Sequence, residues 1–295
     1  MSAKKDTAYN RTPSVRLFCL QAPPFFFRNR TLKISNHKLF LLTMKENKYD
    51  DDRFFEQYSH MDRSVKGLEG AGEWHILKTM LPEFRGKRVL DLGCGFGWHC
   101  RYAAEHGALS ALGIDLSEKM IARAEKENAF SNVEYRRMAI EDFPFPPEAF
   151  DAVISSLALH YLESFPDLCA KIYRSLTPGG TFVFSVEHPV FTAYGSQDWF
   201  YTPDGERLHW PVDRYFLQGE RQATFLGEQV TKYHKTLTTY INGLLENGFR
   251  ITGLNEPEPS PEMMAHIPGM KDELRRPMML LISAEKIQHT PCFNM

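Results

Sequence analysis

The stretch Val89-Leu90-Asp91-Leu92-Gly93-Cys94-Gly95-Phe96-Gly97 decides the fold of this chain. A short apolar run that ends in closely spaced glycines predicts a buried strand, a tight turn and the start of a helix. Glycines adopt positive φ angles and allow the backbone to approach a ligand closely. In an open parallel sheet, ligands bind at the carboxyl ends of the strands. The stretch therefore indicates a ligand-binding turn, although a simple strand–helix connection would use glycines as well.

The glycine spacing of this turn and two acidic residues indicate which class of ligand it binds. The pattern is G-x-G-x-G, because Trp98 stands where the dinucleotide pattern has its third glycine. Asp91 precedes the turn, and a carboxylate there suits a cationic amino group better than a pyrophosphate. Asp115, which follows the next apolar run, can accept hydrogen bonds from both hydroxyls of a ribose. A helix N-terminal charge or a solvated loop acid is the alternative for Asp115.

Outward from this turn, helical and extended patterns alternate along the chain. Such alternation predicts an α/β fold with a Rossmann-like, doubly wound, mostly parallel seven-stranded sheet and helices on both faces. The predicted strands are Arg88–Leu92, Ala111–Asp115, Val133–Arg137, Phe150–Ser156, Thr181–Val186, Phe249–Leu254 and Pro277–Ala284. Residues 53–82 favour a helix with Trp74, Ile76, Leu77 and Leu81 facing inward. An aromatic-rich insertion, residues 188–235, breaks the alternation after the fifth strand.

Four segments together resemble the ordered motifs of class I S-adenosylmethionine-dependent methyltransferases. They are Asp91 to Gly97, Asp115, Ile140-Glu141-Asp142 and Leu176-Thr177-Pro178-Gly179-Gly180. The most similar group includes the ubiquinone- and menaquinone-type C-methyltransferases and many small-molecule enzymes. The resemblance covers residues 86–186 specifically and implies S-adenosyl-L-methionine as the cofactor. It does not name the substrate, because function depends on the individual site.

The resemblance also implies roles for individual residues. Gly93, Gly95 and Gly97 would lie against the methionine part and ribose, Asp91 would help to hold the amino group, and Asp115 would bind the ribose. The remaining contacts would come from Leu116 and Met120 near the adenine, the Ile140 backbone at the adenine edge, Glu141 or Asp142 beside it, and Leu157 at the methionine end. Many relatives have an acid where Ala139 stands, so Glu141 or Asp142 would have to replace it; a capped turn is the alternative for these two.

Methyl transfer requires mainly that the acceptor is positioned in line with the activated methyl group. A base is needed only when the nucleophile has to lose a proton. Four residues are candidate bases or acceptor anchors. His160 follows the fourth strand, Glu187 and His188 follow the fifth, and His234 lies at the end of the insertion. Hydrogen-bonded structural roles are the alternative for the histidines. Residues 188–235 are interpreted as an acceptor lid, with a subsidiary core or a subunit contact as alternatives.

Composition limits the function classes that remain. Residues 1–43 carry eight Lys and Arg and one acid, whereas the rest of the chain has a net charge of -9. An acidic body argues against nucleic acid as the main partner, and no apolar run is long enough to span a bilayer. Five cysteines without a C-x-x-C pair argue against a disulfide framework or a metal site and favour a reduced, cytoplasmic setting. The expected partner is a small-molecule methyl acceptor that offers O, N or C.

Three other functions are alternatives to this one. An RNA or protein methyltransferase would need a basic face or an added recognition domain. A nicotinamide oxidoreductase is disfavoured by the G-x-G-x-G spacing and by Asp91. A non-catalytic S-adenosylmethionine-binding module stays open, because no single catalytic residue marks the family.

The chain is expected to contain one domain, residues 44–286, between two tails. Residues 1–43 are basic and rich in Pro and Phe, and Met44 begins ordinary globular composition. They are interpreted as a product of a wrongly assigned start codon, a native disordered tail or a mitochondrial-type transit peptide. Residues 287–295 form the C-terminal tail.

Overall fold

A computed structural model describes residues 47–287 of the chain. Its centre is a seven-stranded sheet with the order β10-β11-β5-β4-β1-β2-β3. The eleven strands are β1 Arg88–Leu92, β2 Ser110–Asp115, β3 Val133–Arg137, β4 Phe150–Ser156, β5 Leu176–Glu187, β6 Phe200–Tyr201, β7 Arg207–His209, β8 Gly219–Phe225, β9 Glu228–His234, β10 Phe249–Asn255 and β11 Met279–Lys286. Strands β1 to β5 pair in parallel, and β11 runs antiparallel to both of its neighbours. The predicted Rossmann-like fold and all seven predicted strands are confirmed.

The helices lie on both sides of this sheet. They are α1 Asp52–Ser59, α2 Asp62–Val65, α3 Trp74–Met80, α4 Trp98–Glu105, α5 Glu118–Glu127, α6 Phe165–Ser175, α7 Pro189–Thr192, α8 Leu237–Leu245 and α9 Pro261–His266. Ser117, Ser164 and Thr236 accept hydrogen bonds from backbone amides at the starts of α5, α6 and α8. Such side-chain caps satisfy amide groups that have no partner inside the helix.

Residues 53–82 contain helices, as predicted, but they do not form one continuous helix. The structure divides this segment into α1, α2, a 3₁₀ turn at Gly67–Gly70 and α3. Gly67 has a φ of 63°, and a Cβ at Gly70 would lie 2.2 Å from the Asp62 carbonyl oxygen. The glycines therefore impose a close chain reversal that a continuous helix cannot contain. Trp74 and Leu77 are buried as predicted, whereas Ile76 and Leu81 are only half-buried.

Alternation along the central strands sends apolar side chains to two separate cores. One core joins β1, β4 and β5 to α6 and α8, through residues such as Leu90, Val153 and Ile172. On the opposite face, Val89 and Ile154 pack with α4, and Trp74 and Leu77 of α3 pack on Val183 and Leu281. Both faces of the sheet are thus covered, and ligands can approach at the carboxyl ends of its strands.

The insertion at residues 188–235 is built from α7 and two hairpins, β6–β7 and β8–β9, which do not join the large sheet. Phe54 of α1 packs on Ala223 and Val230 of the β8–β9 hairpin. The insertion thus contacts the segment that precedes β1.

The predicted tails lie outside the described residues, except for Ile287. Within residues 47–287, none of the helices has the length and apolar character needed to cross a membrane.

Candidate functional site

The glycine turn at the end of β1 has the conformation that its sequence predicts. Gly93, Gly95 and Gly97 have φ values of 75°, 54° and 80°. A Cβ at Gly97 would lie 2.3 Å from the Tyr135 hydroxyl, and one at Gly93 would lie 2.4 Å from the Ala158 Cβ. A Cβ at Gly95 would meet no atom of residues 47–287 within 4 Å. Gly93 and Gly97 therefore allow the turn to pack, whereas Gly95 borders open space.

Asp115, at the end of β2, is tied to this turn. Its Oδ2 accepts a hydrogen bond from the Gly95 amide at 3.0 Å, and its Oδ1 accepts one from the Ser117 amide at 2.9 Å. Burial raises the pKa of Asp115, although these two hydrogen bonds oppose the shift. The structure thus brings together the glycine turn and the acid that the sequence predicted as its partner.

Asp91 lies under the turn and is 1% exposed. Its Oδ2 lies 3.7 Å from the Cys100 thiol, which donates to it, and its Oδ1 is buried without a hydrogen-bond partner among the described residues. Burial raises the pKa of this carboxyl to about 7. An unsatisfied buried carboxylate oxygen costs free energy unless a ligand or water donates to it.

The remaining residues that the sequence assigned to a cofactor occupy the same edge of the sheet. Met120 and Ile140 are buried, Leu116 is half-buried, and Glu141 and Asp142 are exposed within the 3₁₀ turn Ile140–Asp142. Leu157 follows β4 with a φ of 52°. Positive φ is uncommon for a residue other than glycine and concentrates at functional sites.

A buried polar network lies beyond the ends of β4 and β5. Glu187 accepts hydrogen bonds from Lys232 of β9 and from Gln197, each at 2.6 Å, and Lys232 also donates to the Gln197 side chain at 2.9 Å. Burial opposes ionisation of Glu187, but neighbouring positive charge and these hydrogen bonds lower its pKa. His160 faces this network, since its Nδ1 accepts from the Glu187 amide at 3.5 Å, and burial lowers its pKa to about 3. Of the candidate bases, the structure brings His160 and Glu187 together.

His188 and His234 are both held by hydrogen bonds within the protein. His188 Nδ1 caps α7 by accepting from the Val190 amide at 3.0 Å, and its Nε2 lies 2.7 Å from Glu256 Oε1. His234 lies 2.7 Å from the Thr192 hydroxyl and 2.8 Å from the Tyr215 carbonyl oxygen. Both rings are buried. These contacts favour the structural alternatives for the two residues.

No sequence motif indicates that residues 47–73 form a layer over the site. The Tyr58 ring of this layer contacts Phe96 of the glycine turn, with centroids 5.7 Å apart, and its Tyr49 hydroxyl lies 3.1 Å from that of Tyr161. Asp50 accepts hydrogen bonds from the Ser117 hydroxyl and the Lys119 amide, at 2.5 and 3.2 Å. The N-terminal layer therefore covers the same edge of the sheet as the insertion.

Lys232 was missed as well, although the sequence contains a signal for it. In β9, Val230, Lys232 and His234 alternate and are all buried. A lysine on the inward face of a strand needs a partner for its charge, and Glu187 is that partner.

Comparisons with known proteins agree with this geometry. The family described as Methyltransferase domain matches residues 90–184. A crystal structure of an S-adenosylmethionine-dependent methyltransferase from Mesorhizobium loti is 45% identical with a TM-score of 0.69, covering 74% of this chain and all of that one. A second crystal structure, of an S-adenosylmethionine-dependent methyltransferase from Listeria monocytogenes assigned by similarity, is 59% identical with a TM-score of 0.72. It covers 75% of this chain and all of that one. The chain belongs to the class I S-adenosylmethionine-dependent methyltransferases. An uncharacterised protein of Haemophilus influenzae is 33% identical to this methyltransferase over 247 residues, which are 81% of this chain and 97% of that protein.

S-adenosylmethionine is therefore the cofactor of this methyltransferase, as predicted. Two observations at the glycine turn fit this cofactor. The unsatisfied Asp91 Oδ1 is an acceptor for a cationic group, and the open space beside Gly95 allows a ligand to contact the backbone. The enzyme transfers a methyl group from this cofactor to an acceptor.

Proposed function

We propose that this methyltransferase acts on a small molecule that binds between the carboxyl ends of β4 and β5 and the insertion. The observation that carries the proposal is the contact of Lys232 with Glu187. It joins the β8–β9 hairpin to the end of β5 through a buried ion pair of 2.6 Å. An acceptor site roofed by the protein's own chain suits a small molecule better than a polymer.

The insertion serves as the lid of this site. Its β8–β9 hairpin is held at two places, by Lys232 at the sheet edge and by the packing of Phe225 on Phe54 of α1, with ring centroids 5.7 Å apart. Gln197, which completes the network with Glu187, has a φ of 53°. Closure of such a lid excludes water from the reaction.

In the cofactor half, we propose that each residue keeps the role that the family resemblance implies. Gly93, Gly95 and Gly97 contact the methionine part and ribose, Asp91 accepts from the amino group, and Asp115 accepts from the ribose hydroxyls. The adenine lies near Leu116, Met120 and Ile140, with Glu141 or Asp142 at its edge, and Leu157 lies beside the methionine part. When bound, S-adenosylmethionine supplies an already activated methyl group.

The titratable groups at the acceptor end favour positioning over proton abstraction. With a pKa of about 3, His160 is a weak base, and Glu187 is an ionised carboxylate already held by two donors. We therefore infer that the protein orients an acceptor that is nucleophilic without a strong base. Orientation alone can contribute roughly 7–11 kcal/mol to lowering a barrier.

The test is a search for the methylated product. The enzyme is incubated with methyl-labelled S-adenosylmethionine and, in separate reactions, with a small-metabolite mixture, total tRNA and a protein extract. We expect label in the small-molecule fraction only. Label in tRNA or protein would overturn the small-molecule proposal. S-adenosylhomocysteine binding without label in any reaction would favour a non-catalytic binding module.

A further inference from the structure

An ion pair between the half-buried Arg63 and the buried Glu73 lies in the N-terminal layer, outside the family's sequence motifs. Glu73 is 1% exposed. Its Oε1 accepts hydrogen bonds from Arg63 Nη2 at 2.9 Å and from the Ser156 hydroxyl at 3.1 Å. Its Oε2 is buried without a hydrogen-bond partner among residues 47–287. Ser156 ends β4, so the pair reaches the carboxyl edge of the sheet.

Further buried polar atoms on the same face of the sheet also lack partners among these residues, and two of them are titratable. These two are Asp91 Oδ1 and His99 Nε2. Asp91 pairs with Ile154 of β4, and Ser156 stands two residues beyond it, so that Asp91 and Ser156 point to the same face. His99 belongs to α4, which packs on that face; burial lowers the pKa of its imidazole to about 4, and the charge of Glu73 opposes this shift. Glu73 and His99 therefore interact under the N-terminal layer, and Asp91 lies on the same face of the sheet.

The charges under the N-terminal layer match one kind of ligand. A buried polar atom without a partner costs about 1–3 kcal/mol, so several together indicate a bound polar group. Burial opposes ionisation of Glu73, but Arg63 lowers its pKa and keeps the carboxylate charged. Two carboxyl groups and one guanidinium are complementary to an ammonium and a carboxylate on the same small group. The amino-acid end of S-adenosylmethionine is such a zwitterion.

We propose that Glu73 and Arg63 bind the amino-acid end of the cofactor, with Glu73 accepting from its ammonium group beside Asp91 and Arg63 donating to its carboxylate. The N-terminal layer then contributes to cofactor affinity directly rather than only covering the site. This assignment concerns the cofactor half of the site and is independent of the acceptor proposal.

The experiment compares two ligands by titration calorimetry. S-adenosylhomocysteine carries the amino-acid end, and 5′-methylthioadenosine lacks it while keeping the adenosine. For Glu73→Gln we expect S-adenosylhomocysteine affinity to fall about 10- to 100-fold, the range for a lost hydrogen bond to a charged group. The affinity for 5′-methylthioadenosine should stay within about twofold. An equal loss for both ligands, or no loss for either, would overturn the assignment.

Two variants complete the design. Glu69→Gln is the matched control, because Glu69 is an exposed acid of the same segment that accepts from the Trp74 indole at 3.0 Å; both affinities should be unchanged. Arg63→Lys keeps the charge beside Glu73 but not the forked donor geometry, and it provides a second test if Glu73→Gln does not fold. It should weaken S-adenosylhomocysteine binding and leave the binding of decarboxylated S-adenosylmethionine unchanged. Equal weakening of both would show that Arg63 only supports the fold.

Discussion

The Asp115 carboxylate accepts a hydrogen bond from the Gly95 amide at 3.0 Å. It thereby fixes the middle of the glycine turn from the neighbouring strand. The two most informative sequence features of the cofactor site, the glycine turn and the acid after β2, thus form one physical unit. A change at Asp115 should affect the turn as well as any ligand bound to the carboxylate.

Removal of this carboxylate should weaken cofactor binding. For Asp115→Ala we expect a loss of roughly 1–3 kcal/mol in S-adenosylhomocysteine binding, because hydrogen bonds to a charged group disappear. Titration calorimetry measures the loss, and NADH should bind far more weakly than S-adenosylhomocysteine to the unaltered protein. The control is Asp167→Ala, which changes an exposed acid in the first turn of α6. Unchanged affinity in Asp115→Ala would contradict the ribose assignment.

Two glycines of the turn should respond differently to the same substitution. Gly95→Ala adds a Cβ that meets none of the described residues within 4 Å, at a backbone cost of about 1 kcal/mol for positive φ. We therefore expect nearly normal thermal stability with strongly reduced S-adenosylhomocysteine affinity. Gly97→Ala places its Cβ 2.3 Å from the Tyr135 hydroxyl and should lower the melting temperature instead. The reverse pattern would show that the open space beside Gly95 is not the ligand site.

The sheet was predictable from sequence because its determinants are local. The central strands are short apolar runs between glycines or caps, and the Asp91–Gly97 and Asp115 motifs stand at strand ends. The N-terminal layer could not be predicted in this way, because Tyr49, Arg63 and Glu73 reach the site through tertiary contacts. Glu73 meets Ser156, which is 83 positions away along the chain. A helical pattern over residues 53–82 carries no information about such a distant partner.

Asp91 should make cofactor binding depend on pH. Its pKa of about 7 means that the free protein holds a proton there below neutral pH, whereas an ammonium group is bound best by the ionised form. S-adenosylhomocysteine affinity should therefore increase as the pH rises from 6 to 8, and binding near pH 7 should release a proton. Calorimetry in buffers of different ionisation enthalpy measures this release.

The same pKa has the opposite effect on the stability of the free protein. Because the folded-state pKa is raised, the contribution of Asp91 is fully present below its unfolded pKa, near 4, and is lost as the pH rises through about 7. Asp91→Asn should remove this dependence together with the proton release. A variant that still releases the proton would assign it to another group.

The lid can be tested through Lys232 before an acceptor is known. Lys232→Met leaves the Glu187 carboxylate buried without its cation, a change that costs about 3–5 kcal/mol in buried pairs. The β8–β9 hairpin, residues 219–234, should therefore exchange its amide hydrogens at least about tenfold faster. The central strands β1 and β4 should exchange as before, and S-adenosylhomocysteine affinity should stay the same.

A matched control and the acceptor reaction complete this test of the lid. Gln229→Ala changes an exposed hairpin residue, whose side chain pairs only locally with Thr224 at 2.8 Å, and should leave exchange unchanged. Once the acceptor is identified, Lys232→Met, His188→Ala and Trp199→Ala should all reduce turnover without weakening cofactor binding. His188 would act by holding α7 and Glu256 in place, and Trp199 by packing on Trp210, with ring centroids 5.3 Å apart. Full activity in all three variants would refute the lid and make residues 188–235 a subsidiary core or a subunit contact. A parallel loss of S-adenosylhomocysteine affinity would instead place these residues in support of the cofactor half.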